Sequence, residues 1–174
     1  MASDTLLVKD VLIPIERYPH LNENKSLYDA VQEFREFTVG EKNRLRYAEM
    51  LVVNDKNQLV GKIDLNGVLH ALAPSLFASE KVGKYEGMGS DFPNLVILLE
   101  ESFLKTCAEQ RSVPVKDFMS EIKTTVTGDT PMLKTLMLMM NEKNHTFPVV
   151  EGNKVIGVIR LEEIFLDLCG HCKL

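Results

Sequence analysis

Between residues 26 and 37 the apolar positions Leu27, Ala30, Val31, Phe34 and Phe37 recur at spacings of three and four. That period places them on one face of an α-helix. Ser26 followed by Asp29 supplies a capping-box-like start, so the pattern predicts a helix beginning near residue 27. Met50-Leu51-Val52-Val53 and the run Gln58 to Ile63, separated by Asn54-Asp55-Lys56-Asn57, read as two strands and a turn, with a second helix from Leu65 to Leu72. The same order returns later. Asp129-Thr130 leads into Pro131, placed as a first helical residue, and Leu133, Leu136, Met137 and Met140 predict the buried stripe of the helix that follows. Thr146 to Val150, the turn Glu151-Gly152-Asn153 and Lys154 to Ile159 form a compact hairpin signal, closed by a helix over Leu161 to Leu168.

The chain is therefore an internal repeat. Val8-Lys9-Asp10-Val11-Leu12 matches Val115-Lys116-Asp117-Phe118-Met119, and each copy continues with an extended apolar residue, Leu21 or Val126, before its first helix. The unit is strand, helix, strand, strand, helix, written twice. The first copy is longer between its helix and its strand pair, running from Phe34 to Val52 where the second runs from Met139 to Val149. Residues 1–72 make the first motif, 73–112 a connector and 113–174 the second motif with its tail. A connector of that length inside a compact unit needs structure of its own, so Asn94 to Gln110 is predicted to be helical. Two small sheets with helices on one side, related by a pseudo-twofold, give an α+β module.

Composition narrows the function. With 174 residues, 45% hydrophobic and 26% charged, the chain is an ordinary globular sequence. A net charge of −5 supplies no positive field for nucleic acid or anionic lipid, and no apolar run approaches a membrane span. The expectation is a cytoplasmic protein with no nucleic-acid and no membrane partner. Phosphate-loop, dinucleotide, zinc-protease and nucleophile-elbow motifs are missing, and His20, His70, His145 and His171 stand in unrelated contexts, so the reading is non-catalytic. No cofactor is called for. Cys169-Gly170-His171-Cys172 could hold a metal or cycle through a disulfide, but a zinc site would need further ligands brought in by the fold. The plainer reading is two thiols at a helix end.

Val115 to Met119, His145 to Val150 and Val155 to Ile159 resemble three segments of the tandem cystathionine-β-synthase (CBS) motif pair, the Bateman module; the second copy resembles it more closely, since the first carries Leu51 where that family usually has proline. The resemblance implies a regulatory module that binds an adenosine-containing ligand, AMP, ADP, ATP or S-adenosylmethionine, in a cleft between motifs, and that pairs as a disc-like homodimer read by an unidentified protein partner. It also implies a phosphate contact just after the last strand and a ribose-binding acid three residues on. In the second copy those positions are Arg160 and Glu163, with adenine expected near Thr124, Thr125, Val126, Phe147 and Pro148. In the first they are Asp64 and Gly67, so a phosphate would meet like charge, and the site around His20, Leu21, Leu51 and Asp64 is expected to be the weaker one. Two alternatives stay open. Arg160 and Glu163 could be a plain i, i+3 surface pair. The module could also be a dimerisation scaffold without nucleotide, with the methionine-rich helix of Met132, Met137, Met139 and Met140 and the connector at the interface.

Overall fold

The computed structural model describes residues 5–74 and 93–172. The first repeat contains β2 (His20–Asn22), α1 (Leu27–Glu36), a short hairpin of β3 (Thr38–Val39) and β4 (Arg44–Leu45), β5 (Glu49–Val53), β6 (Leu59–Asp64) and α2 (Leu65–Leu72). The connector provides α3 (Pro93–Glu109), and the second repeat α4 (Met132–Glu142), β7 (Thr146–Glu151), β8 (Lys154–Arg160) and α5 (Leu161–His171). Ahead of all of them lies β1 (Ile13–Pro14). The predicted capping box is present at α1: the Asp29 N–H donates to Ser26 Oγ at 3.2 Å, and the Ser26 N–H donates back to the Asp29 carboxylate at 2.9 Å.

Each repeat builds a small mixed sheet. In the first, β2 runs parallel to β5, with Leu21 opposite Val52, and β5 runs antiparallel to β6. In the second, Val126 takes the place of Leu21 by pairing in parallel with Val149, and β7 runs antiparallel to β8. The remaining neighbour of β8 is β1, from the other end of the chain, with Ile13 opposite Val158 and Pro14 opposite Gly157.

That pairing is half of a reciprocal exchange. Val8-Lys9-Asp10 forms a 3-10 turn that sits on the second repeat: the Val8 N–H donates to the Thr130 carbonyl (3.0 Å), the Lys9 N–H to that of Gly128 (2.9 Å) and the Met132 N–H to that of Leu6 (2.8 Å). Val115-Lys116-Asp117 forms the matching turn on the first repeat, where the Leu27 N–H donates to the Val113 carbonyl (2.8 Å) and the Val115 N–H to that of Lys25 (2.8 Å). Lys62 and Ser120 then exchange main-chain hydrogen bonds of 2.9 and 2.8 Å. Val8 and Val115 are both fully buried, each in the core of the repeat it visits. Glycine makes the close approach feasible on both sides. A Cβ at Gly157 would land on the Ile13 carbonyl oxygen and lie 2.6 Å from Leu12, and one at Gly61 would lie 2.9 Å from the Ser120 carbonyl oxygen.

Three apolar clusters result. One core is built on Val8, Met132, Met139, Phe147, Ile159 and Ile164, a second on Leu27, Phe34, Met50, Ile63 and Val115, and a third, between the repeats, on Tyr18, Tyr47, Leu51, Val53, Val155 and Val158. Apolar burial at about 25 cal/mol per Å2 makes these clusters the main favourable term in folding. The α1 stripe points inward as the pattern predicts, with Leu27, Ala30 and Phe34 buried. The α4 stripe does not. Met132, Thr135 and Met139 face the core and Leu136 packs against its edge, whereas Leu133, Met137 and Met140 are exposed, so three of the four predicted positions turn outward. This helix is apolar nearly all round, and periodicity alone did not select the face; the buried Thr135 is accommodated because its hydroxyl donates to the Pro131 carbonyl at 3.3 Å. Pro131 itself is the N-cap residue, one position before the helix.

Substituting Gly157 by Ala should destabilise the fold by about 1–3 kcal/mol, because a backbone carbonyl cannot move aside as a side chain can. Gly170→Ala, where a Cβ meets nothing within 4 Å, should be neutral or slightly stabilising in the same thermal melts. Equal losses at both positions would refute the close-approach argument. A second outcome concerns pH. Burial, reinforced by Glu49, pushes the Tyr18 phenol well above its ordinary value of 10.0. A group raised in the folded state contributes stability that is complete below pH 10 and is lost as the pH rises further. Urea midpoints measured from pH 8 to 11 should therefore fall above pH 10, and fall less in Tyr18→Phe.

Candidate functional site

The sheets of the two repeats leave a cleft between them, and its chemistry comes from strand ends. β8 ends at Arg160 and β6 at Asp64, each the N-cap residue of the helix that follows. The two caps behave differently. Asp64 turns its carboxylate onto its own helix and accepts from the Gly67 N–H at 2.7 Å, satisfying one of the exposed N–H groups there. Arg160 makes no side-chain cap. Its guanidinium instead grips Glu163 through Nε (2.9 Å) and Nη2 (2.5 Å), lies 3.7 Å from Glu162 through Nη1, and stacks over the Tyr47 ring at 5.0 Å from the centroid. Burial works against the Arg160 charge, but the Glu163 hydrogen bonds and the two carboxylates outweigh it and hold the guanidinium above its usual value.

Three cavities follow one another along the cleft. The first, about 500 Å3, is bordered by Tyr18, Tyr47, Glu49, Asp64, His145 and Arg160. Thr146 joins it to a second of about 220 Å3, where Lys62, Lys123, Thr124, Glu142 and Pro148 converge. Glu121 and Ile122 join that to a third of about 510 Å3 between the hairpin turns, bordered by Asn54, Gln58, Thr125 and Asn153. Of the second-repeat residues singled out in the sequence, Thr124, Thr125, Pro148 and Arg160 thus border this run of cavities, and Glu163 touches it through Arg160. Val126 and Phe147 are instead core residues, 5% and 0% exposed.

The first-repeat set is dispersed. Leu51 is fully buried in the cluster between repeats, Leu21 packs on the first core, and His20 places Nδ1 2.9 Å from the Tyr18 carbonyl. Only Asp64 borders a described cavity. Aromatic rings pack beside them: Tyr18 and Tyr47 have centroids 4.7 Å apart, Phe37 closes on Tyr47 at 5.7 Å, and the Tyr47 hydroxyl donates to the Arg17 carbonyl at 3.2 Å. Tyr47 comes from the additional stretch of the first repeat. There the chain folds into the β3–β4 hairpin, with Gly40 and Asn43 in the left-handed region at φ 74° and 47°, and returns along the cleft through Arg46 and Tyr47. The extra length was visible in the sequence; its destination was not.

Lys62, Lys123 and Glu142 were not anticipated. Lys62 pairs with Glu49 at 3.0 Å, and the Thr124 hydroxyl donates to the Glu142 carboxylate at 2.8 Å. Only the alternation of β6, which turns Lys62 away from the first core while Ile63 enters it, could have pointed there. Cys169 lies within α5 and Cys172 follows its end. Among the described residues no group of three or more His, Cys, Asp and Glu is arranged to hold a metal ion, and no helix is long and apolar enough to cross a membrane.

No curated protein matches the sequence at a significant level. Solved structures share the fold: a CBS domain-containing protein of unknown function from Kribbella flavida (TM-score 0.68, 17% identity, 94% of this chain and 98% of that one), and CBSX2 of Arabidopsis thaliana in complex with AMP (TM-score 0.61, 18% identity, 95% and 98%). The cytosolic domain of the Mg2+ channel MgtE in complex with ATP is also similar (TM-score 0.56, 16% identity, 91% of this chain and 46% of that one). The CBS domain profile matches twice, over residues 8–74 and 115–169. With both copies of the repeat matched in sequence and in fold, the chain belongs to the CBS domain family as a tandem pair.

Proposed function

We propose that this chain is a non-catalytic, cytoplasmic regulatory module that binds an adenosine-containing ligand in the cleft between its repeats. The ligand class is AMP, ADP, ATP or S-adenosylmethionine, the main site is that of the second repeat, and occupancy is passed on through the packing of a homodimer or of a protein partner. One observation carries this reading: Lys123, Thr124, Pro148 and Arg160 of the second repeat, joined by Lys62, border open space in the cleft, while of the first-repeat set only Asp64 reaches it, with its carboxylate taken by the Gly67 N–H. Two similar structures hold AMP and ATP. Arg160 is already oriented, with Nε and Nη2 on Glu163, so an incoming phosphate meets the Nη1 edge, whose closest carboxylate is Glu162 at 3.7 Å. Glu163 then serves as the positioning group, and it can also accept from ribose hydroxyls.

The second reading, a dimerisation scaffold with degenerate sites, is favoured by the same ion pair, because a guanidinium fork already filled by a carboxylate has less to offer a phosphate. A thermal-shift panel with AMP, ADP, ATP, S-adenosylmethionine and NAD on nucleotide-stripped protein separates the two. A ligand at about 100 times its Kd should add roughly 2.7 kcal/mol of stability. In Arg160→Ala the shift with a phosphate-bearing ligand should shrink or vanish while the ligand-free Tm changes by only a few degrees. No shift with any adenosine compound in the native chain would leave the scaffold.

A further inference from the structure

A second guanidinium borders the cavity that Asp64 and Arg160 share. Arg46 stands at the end of the stretch that the first repeat has and the second lacks, where its N–H donates to the Phe37 carbonyl at 2.8 Å as the chain leaves the β3–β4 hairpin. One ring holds both cations. Tyr47 is 3% exposed and is fixed by its hydroxyl on the Arg17 carbonyl and by the rings of Tyr18 and Phe37; its centroid lies 5.4 Å from the Arg46 guanidinium carbon and 5.0 Å from that of Arg160. Two like charges are thereby kept within about 10 Å of each other, a repulsion that an anion beside both relieves. The carboxylates around them are already engaged. Glu49 holds Lys62 at 3.0 Å, Asp64 accepts from the Gly67 N–H at 2.7 Å, and Glu163 fills the Nε and Nη2 edge of Arg160, which leaves Glu162, 3.7 Å from Nη1, as the nearest competitor for an anion there. Arg46 is different. Its side chain is exposed beside the Tyr47 ring, and among the described residues no carboxylate lies within ion-pair distance of it.

We infer that Arg46 is a phosphate-binding residue of the cleft and that it makes the site selective for adenosine di- and triphosphates over AMP and S-adenosylmethionine. The inference rests on the function proposed above and narrows its ligand class. Arg160 offers an incoming phosphate one edge, whereas Arg46 offers a whole planar fork of N–H donors. With adenine against Thr124 and Pro148 in the cavity of about 220 Å3, a phosphate chain passes Thr146 into the one of about 500 Å3, where each added phosphate brings more negative charge toward the pair of guanidiniums. The sulfonium of S-adenosylmethionine brings a positive charge to the same place.

Calorimetry on the nucleotide-stripped full chain, without divalent cations, tests this with adenosine, AMP, ADP, ATP, S-adenosylmethionine and inorganic tripolyphosphate. In the native chain affinity should rise from adenosine through AMP to ATP, S-adenosylmethionine should bind more weakly than ADP, and tripolyphosphate should bind by itself. Arg46→Ala should weaken ATP and tripolyphosphate by roughly fivefold or more and adenosine by less than about twofold, flattening the series, while Arg46→Lys keeps part of it. Arg44→Ala removes the same charge from the same hairpin away from the cavity border and should behave as native, and a retained cooperative melt verifies that each variant is folded. Nucleotides that bind the native chain with an ATP-to-AMP ratio unchanged by Arg46→Ala, or changed equally by Arg44→Ala, would overturn the inference and leave the adenosine site standing. Tripolyphosphate binding lost in Arg46→Ala, with no adenosine compound bound, would uphold Arg46 as a phosphate ligand and overturn the adenosine reading beneath it. Absence of any binding would overturn both.

Discussion

The reciprocal exchange of the two Val-Lys-Asp segments is the constraint on which the rest of the molecule depends. Neither repeat closes its own sheet or its own core: Val8 fills the second, Val115 fills the first, and β1 completes the sheet of β8. The bonds involved are main-chain bonds, so they ask little of side chains except at Gly61 and Gly157, where any Cβ would meet a carbonyl oxygen. Because each segment must cross to the other repeat, the chain beyond it, Tyr18 on one side and Ile122 on the other, is delivered into the space between repeats. The cleft is therefore a consequence of the exchange. Its walls come from both halves because the chain had to pass between them.

Once the cleft exists, a few local differences make its two sides unequal. Asp64 spends its carboxylate on the start of α2, which occupies the place where an anion would otherwise be drawn by the free N–H groups and the helix dipole. The additional residues of the first repeat carry Tyr47 onto Tyr18, and the two rings wall the cavity that Asp64 and Arg160 share. Arg160, in the position matching Asp64, cannot cap a helix N-terminus with a cation and turns to Glu163 and to the Tyr47 face instead. One insertion and one acid-to-base difference thus give a nearly symmetric scaffold two unlike strand ends.

Much of this was legible in the sequence, and the reason is local. Ser26 with Asp29, the Gly152 turn and the short apolar runs of β7 and β8 on either side of it are short-range signals satisfied by short-range contacts, so helix and strand identities followed. The α4 face was misread because Met132-Leu133-Lys134-Thr135-Leu136-Met137-Leu138-Met139-Met140 offers several apolar stripes, and only alignment with α1 shows that Thr135 takes the inward place of Ala30. The placing of Val126 and Phe147 in the core rather than the cleft was equally beyond periodicity, since both faces of a strand buried between a helix layer and a second sheet are apolar. Tyr47 over Arg160 spans more than a hundred residues, and no local pattern encodes it.

The helix α5 ties these findings together. Its first turn holds Glu163 against Arg160, its middle buries Ile164 in the second core, and its outer surface carries Phe165 and Leu166. A group bound at Arg160 would act directly on this element, since its first turn supplies the carboxylate that holds the guanidinium. For occupancy to be felt beyond the cleft, a ligand must bind two packings of that helix with unequal affinity, because only differential interaction shifts an equilibrium. The Arg160–Glu163 pair is where such a difference would arise, because it fastens the start of α5 to the end of β8.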